Sequence, residues 1–477
     1  MKSQLAVFTL GAGLVLDGPA LRAQGGPPNP PAAAAAARAF PADSVVLEIL
    51  KQRVADKRSA GIVVGMLEAD GRTRVVAYGD PGPGQPPLDG NSVFEIGSTS
   101  KVFTATVLAE LVKEGRVRLE DPIDKYLPAS VHVPERNGLK ITLGNLSEQN
   151  SGLPRMPNNF RPKDPKNPYA DYGVPQLYDF VSHYSLTRDP GAQFEYSNLG
   201  VGLLGHVLTL ITGQSYEEME RERVWKPLGM TNTAVSLTPW MKARLALGHD
   251  EQGSVTPNWN LDALAGAGAI RSTTIDMLRF ASANVHPERG AIEKAMAFAQ
   301  TERAPAGAPQ LTIGLNWLSN HAFGDTIVWH NGGTGGYRTF IGLAPSRRMA
   351  VVVMTNSAGE GADDVGMHLL NPAIPLAPKP TPPKQRTAIT VSRDVLQRYV
   401  GTYQLTPQFV LEVTLGEAGL QVRPTGQNLS DLFPESETEF FFKVVDAQIS
   451  FVRDAQGVVT GLVLHQNGND LAARRIR

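Results

Sequence analysis

Three short stretches of the chain carry residue types that do chemistry together. In "FEIGSTSKVFTATVLAELVKEG", residues 94–115, Ser98 stands three residues before Lys101. A serine hydroxyl is a poor nucleophile until a neighbouring base takes its proton. A lysine one helical turn away is such a base once it is neutral. Its reference pKa of about 10.4 makes neutrality near pH 7 cost about 4 kcal/mol, a penalty that burial beside other donors supplies. The second stretch is Tyr196-Ser197-Asn198. A tyrosine hydroxyl relays protons when cations lower its pKa from about 10, and Asn198 offers a donor and an acceptor to a substrate amide. The third is "VWHNGGTGGY", residues 328–337, with His330 ahead of four glycines. Alone it suits a phosphate loop, a metal site, the base of a hydrolase or a tight turn.

Elements must bring these stretches together. From Ser98 onward, Phe103, Val107, Leu108, Leu111 and Val112 recur at helical spacing, and Gly115 gives a C-terminal stop. Ser98 is thus placed at a helix N-terminus with Lys101 on its face. The positive field of that terminus suits a developing oxyanion. The spacing also fits a helix cap followed by a solvated lysine, so the flanks decide. Upstream, Val45, Val46, Ile49 and Leu50 have helical spacing, and "GIVVGMLEADGRTRVVAYGD" reads as strand, turn at Asp70-Gly71, and strand. A helix followed by a hairpin suits an α+β domain.

The wider organisation follows from composition. Lys2 and the apolar "LAVFTLGAGLVL" read as an export signal over residues 1–23, too short for a permanent span of roughly 20 residues. A Pro/Ala-rich spacer follows at 24–42, then a catalytic domain at 43–372 and a Pro-rich linker at 373–390. Residues 391–477 alternate with period two in segments such as "FVLEVTL", which predicts a small antiparallel barrel or sandwich. The net charge is −1, which gives no reason to expect nucleic acid or an anionic membrane as partner. With no cysteine, disulfides, thiolate metal sites and a cysteine nucleophile are excluded. No Gly-x-Ser-x-Gly elbow, no His-Glu-x-x-His and no Gly-Lys-Ser/Thr after the glycines is present. Those absences argue against a Ser-His-Asp hydrolase, a zinc hydrolase and a phosphate loop, and no cofactor or metal is implied.

The flanks of Ser98 and Lys101, "FEIGS-x-SK", resemble the active-site signature of class C β-lactamases and related penicillin-recognising serine hydrolases. That family pairs the signature with a Tyr-x-Asn element, here Tyr196 to Asn198, and a Lys-Thr-Gly-like strand. "HNGGTGGYRTFIGLAP" resembles that strand, with His330 at the lysine position and Asn331 at the threonine position, and "RRMAVVVMTN" follows as its partner strand. "ITLGNLSEQNSGLPRMP" is similar to another family segment, but Glu148-Gln149-Asn150 depart from it. The C-terminal segment looks like the lipocalin-like barrel that some relatives append.

The resemblance implies a fold of antiparallel sheet flanked by helices, with an all-helical lobe. It also implies acyl transfer to Ser98, with Lys101 and Tyr196 moving the proton and the N–H groups of Ser98 and Gly333 holding the oxyanion. Asn198, His330, Asn331, Gly332 and Thr334 are the expected substrate-binding residues, the glycines giving the substrate backbone room beside the strand. If His330 must be protonated to hold a substrate carboxylate, activity on anionic substrates falls as pH rises through about 6–7. The expected partner is a small-molecule or peptide substrate: a β-lactam, a D-amino-acid peptide of the D-Ala-D-Ala kind, or an ester. A non-catalytic penicillin-binding role is the reading of a different class, and the intact Ser98, Lys101, Tyr196 and Asn198 argue against it.

Overall fold

The computed structural model describes residues 39–359, 361–379, 386–406, 409–425, 429–443, 447–466 and 469–477. The expected signal at 1–23, residues 24–38 of the spacer and residues 380–385 of the linker lie outside the described residues. Two compact units divide the chain between Pro378 and Lys379.

In the larger unit, helix α1 (Asp43–Ala55) buries Val46 and Leu50, four residues apart on one face. Strands β1 (Gly61–Leu67) and β2 (Thr73–Gly79) form the predicted hairpin. The chain then enters helix α2 (Ser100–Lys113), the short helix α3 (Leu143–Ser147), helix α4 (Asn198–Thr212) and helix α5 (Thr274–Asn284). It returns to the sheet through β3 (Ala304–Pro305), β4 (Leu311–Ile313), β5 (Leu318–Asn320), β6 (Ile327–Gly333), β7 (Arg338–Ala344) and β8 (Met349–Thr355), ahead of helix α6 (Asp363–Leu370). The strand order is β2-β1-β8-β7-β6-β5-β4-β3, and every pairing is antiparallel.

Central strands β1 and β8 are buried at every position, so their near-continuous apolar runs face packing on both sides. Helix α2 is enclosed almost all round: Phe103, Val107, Leu108 and Leu111 have no exposed surface. Each such side chain contributes about 1.5–3 kcal/mol by leaving water. The Phe103 ring stacks on Phe280 of α5 at a centroid distance of 3.9 Å. The helix that carries Lys101 is therefore part of the core, with little freedom to move.

The smaller unit is a closed antiparallel barrel of eight strands joined in sequence order: β9 (Gly401–Thr406), β10 (Phe409–Leu415), β11 (Leu420–Pro424), β12 (Ser430–Pro434), β13 (Glu439–Phe441), β14 (Ala447–Arg453), β15 (Val459–Gln466) and β16 (Asn469–Arg475). Pairing of β16 with β9 closes it and leaves no free edge. Tyr399, Tyr403, Phe440 and Phe451 pack its interior, with Tyr399 and Phe451 stacked at 4.2 Å. Among the described residues no helix is long and apolar enough to cross a membrane, and no group of three His, Asp or Glu could hold a metal ion.

Candidate active site

Ser98 lies in a single turn of 3-10 helix, Gly97–Thr99, just ahead of α2. Gly97 has a positive φ of 50°, a conformation that disfavours any side chain with a Cβ. A Cβ there would also stand 2.7 Å from the Gly333 nitrogen. The serine turn and the end of β6 are thus held in direct backbone contact. Gly332 tightens the same join, because a Cβ on it would lie 1.9 Å from the Ile96 carbonyl oxygen. Thr339 Oγ1, across the ladder from Gly332, donates to that carbonyl at 2.8 Å.

Lys101 is fully buried. Its Nζ lies 2.9 Å from Ser98 Oγ, 2.9 Å from Asn198 Oδ1 and 2.7 Å from the Ala267 carbonyl oxygen. Burial, and next the positive charge of Arg155, hold its pKa well below the ordinary lysine value. That lowering favours the neutral amine. Nζ donates to Asn198 Oδ1 and the Ala267 carbonyl, and a neutral amine can turn its lone pair to the Ser98 hydroxyl 2.9 Å away.

Tyr196 precedes α4, whose N-cap Ser197 accepts from the Gly200 N–H at 2.8 Å. The residue is half-buried with its hydroxyl end enclosed. Neighbouring cations were expected to lower its pKa. Instead burial outweighs the hydrogen bond with Ser98 and the charge of Arg155, and pushes it up to about 12. The hydroxyl is accordingly neutral, a proton donor rather than a phenolate base.

His330 needs a second correction. It is 2% exposed, and its Nδ1 is 2.6 Å from the Asn331 carbonyl oxygen. Burial, followed by the charge of Lys101, lowers its pKa to about 3. The imidazole is neutral at physiological pH and supplies no cation for a carboxylate. Its ring lies 6.2 Å from that of Tyr196, centroid to centroid. The Asn331 amide donates to Asp363 Oδ2 at 2.5 Å, and burial raises that carboxyl to about 6.

The glycines also differ from expectation. Gly332 makes room for Ile96, Gly335 for the Trp259 indole and Gly336 for Gly248, all parts of the protein rather than substrate. Gly333 and Thr334 do line the cleft, with Ser98, Asn198, Tyr169 and Trp259. The rings of Tyr169 and Trp259 pack at 5.2 Å. A buried ion pair, Arg271 Nη2 to Glu95 Oε1 at 3.1 Å, anchors this wall, and the same carboxylate oxygen accepts the Trp259 N–H at 2.8 Å.

Gln149 has a place that its sequence context does not announce. Its Oε1 accepts the Ser197 N–H at 2.6 Å and its backbone oxygen accepts the Glu195 N–H at 2.7 Å. One residue grips the chain on both sides of Tyr196. Its Nε2 donates to Asn316 Oδ1 at 2.9 Å, and Asn316 Nδ2 donates in turn to Ser147 Oγ at 3.1 Å, at the end of α3. No local pattern links Gln149 to Ser197, 48 residues further on.

An antiparallel sheet backed by helices, with a serine beside a buried lysine where the helical lobe meets it, defines a class: serine hydrolases of the β-lactamase fold. A family model described as Beta-lactamase matches residues 46–371, and the chain belongs to that family. A model described as Domain of unknown function (DUF3471) matches residues 385–475, the segment that forms the closed barrel; an antiparallel barrel was expected there, and the matching family is not named for lipocalins. The chain is 31% identical over 312 residues to the D-alanyl-D-alanine-carboxypeptidase/endopeptidase AmpH of Escherichia coli, covering 62% of this chain and 79% of that protein. It is 28% identical over 363 residues to a beta-lactamase of Pseudomonas fluorescens, covering 68% and 94%. The crystal structure of a Beta-Lactamase/D-Alanine Carboxypeptidase from Pseudomonas syringae shares the fold, with a TM-score of 0.60 at 20% identity over 70% of this chain and 99% of that one.

Proposed function

We propose that the protein is an exported serine hydrolase of the class C β-lactamase type, opening a β-lactam or related amide through an acyl-enzyme on Ser98. The observation that carries this is the 2.9 Å contact between Ser98 Oγ and the Nζ of a fully buried Lys101. Neutral Lys101 takes the Ser98 proton as Oγ bonds to the carbonyl carbon. The carbonyl oxygen becomes an oxyanion between the N–H groups of Ser98 and Gly333, each such donor contributing about 2.7–4 kcal/mol. The Tyr196 hydroxyl gives its proton to the leaving nitrogen as the C–N bond breaks, and regains one from Lys101. Water then attacks the acyl carbon, its proton returns through the same groups, and Ser98 leaves with its hydroxyl restored.

A second reading, cleavage of D-alanyl peptides, is favoured by the 31% identity to AmpH. One experiment serves both. The protein is incubated with a penicillin and with a D-Ala-D-Ala peptide, and the Ser98 peptide is weighed by mass spectrometry while turnover is measured. An acyl adduct on Ser98 that is absent in Ser98→Ala supports the mechanism. Turnover undiminished in Ser98→Ala sinks it. Relative kcat/KM values choose between the two substrates.

A further inference from the structure

A cleft that cleaves amides next to anionic groups needs a cation to orient them, and the strand does not offer one. His330 is neutral, and Asn331 is engaged by Asp363. Arg338, across the ladder from Gly333, commits its Nη1 to the carbonyls of Thr334 and Tyr337 at 2.9 and 3.0 Å. Its charge is also offset by Glu251 and Asp363.

Beside Tyr196 stands Arg155, directly after Gly152-Leu153-Pro154. It is exposed, and its guanidinium carbon lies 5.1 Å from the centroid of the Tyr196 ring. Among the described residues no carboxylate pairs with it. Its position is fixed from behind, because its own carbonyl accepts the N–H groups of Asn198 and Leu199 at 3.1 and 3.3 Å, the first turn of α4. Its charge disfavours protonation of Lys101 and favours ionisation of the Tyr169 and Tyr196 hydroxyls. A guanidinium resting on an aromatic ring keeps its planar fork free for a bidentate carboxylate.

We infer that Arg155 is the anion-recognising residue of the cleft, binding a carboxylate carried on the leaving group of the substrate. The inference rests on the proposed Ser98 mechanism. There Tyr196 protonates the leaving atom, so groups attached to that atom pass along the Tyr196 ring where Arg155 lies. Anion recognition is thereby moved from the His330 strand to the wall that carries Tyr196.

The test uses two N-phenylacetylglycine esters that differ only in the leaving group, 3-hydroxybenzoate or 3-hydroxybenzamide. The wild-type protein is expected to prefer the carboxylate ester. Arg155→Gln should lower kcat/KM for that ester by about 10- to 100-fold, the loss of one charge-assisted hydrogen-bonded contact. The loss on the carboxamide ester should be far smaller, so the ratio between them collapses. Arg155→Lys should restore part of the ratio. Equal losses on both esters, with a displaced pH–rate profile, would mean that Arg155 serves only to depress the Lys101 pKa, and would overturn the inference. An unchanged ratio would overturn it too. Wild-type protein that turns over neither ester and forms no Ser98 adduct would instead refute the hydrolase reading beneath it.

Discussion

Replacing Gln149 with leucine separates the two things this side chain does. Gln149→Leu keeps the volume and removes both polar ends. The Ser197 N–H, in a buried residue, then loses its acceptor, and Asn316 Oδ1 loses a donor. A buried N–H left unpaired costs about 1–3 kcal/mol, and loss of a satisfied hydrogen bond about 0.5–1.5 kcal/mol. Together they predict a loss of roughly 2–4 kcal/mol. For a unit of this size that is a fall in Tm of roughly 3–6 °C. The functional effect is separate. Gln149 holds the backbone on both sides of Tyr196, so the hydroxyl should drift from the position where it exchanges protons. Misplacement of a reacting group by about 1 Å costs up to about 100-fold in rate. Stopped-flow acylation with nitrocefin, measured well below Tm, should show a slower acylation step with little change in substrate affinity. Wild-type acylation in a variant whose Tm has fallen as predicted would refute the claim that Gln149 positions Tyr196.

The join between β6 and the serine turn gives a sharper test. Gly332→Ala places a methyl 1.9 Å from the Ile96 carbonyl oxygen, so the strand must move away from Ser98. Acylation should fall by about 100-fold or more, the scale of losing one oxyanion donor, and near-native acylation would contradict the geometry. His330 makes a pH prediction. Its pKa is lowered to about 3, so it is neutral from pH 5 to 8 and activity on carboxylate substrates should show no fall through pH 6–7. The unfolded chain protonates this histidine near pH 6.5 and the folded protein does not, so the associated stability is present above that pH and lost as pH drops. At pH 5 the loss is about 2 kcal/mol. Thermal unfolding at pH 5 and pH 7 should show His330→Gln losing less stability on acidification than wild type, and equal losses would count against it.

Local patterns carried much of this into the sequence. Phe103, Val107, Leu108 and Leu111 identify α2 because a buried helix must repeat its apolar positions, and the alternation in "FVLEVTL" identifies a barrel strand because side chains alternate across a sheet. Ser98, Lys101 and Tyr196 were legible through the resemblance of "FEIGS-x-SK" and Tyr196-Ser197-Asn198 to a family signature, since the Ser98–Lys101 spacing alone fits many helices, and the fold brings all three together. Charge states were not. Whether Tyr196 is lowered or raised depends on how burial compares with Arg155, a quantity set by packing. Pairings across long separations were equally hidden: Glu95 with Arg271 spans 176 residues, and Gln149 with Ser197 spans 48. Gly335 and Gly336 looked like space for a ligand because sequence cannot say that Trp259 and Gly248 already fill it.

The contact of Gly97 and Gly332 with their opposite backbones has a consequence for how such a cleft changes over generations. The proposed oxyanion donors would be aligned by main chain meeting main chain, at positions where only glycine fits. The side chains one and two residues earlier on the strand are held separately, Asn331 by Asp363 and His330 beside the Tyr196 ring. Arg155, by contrast, is exposed, and exchanging it touches neither of those backbone contacts. Preference for substrate can then drift apart from the chemistry: a library randomised at the exposed position 155 should yield altered selectivities more often than dead enzymes, and one randomised at 97 or 332 mostly dead ones.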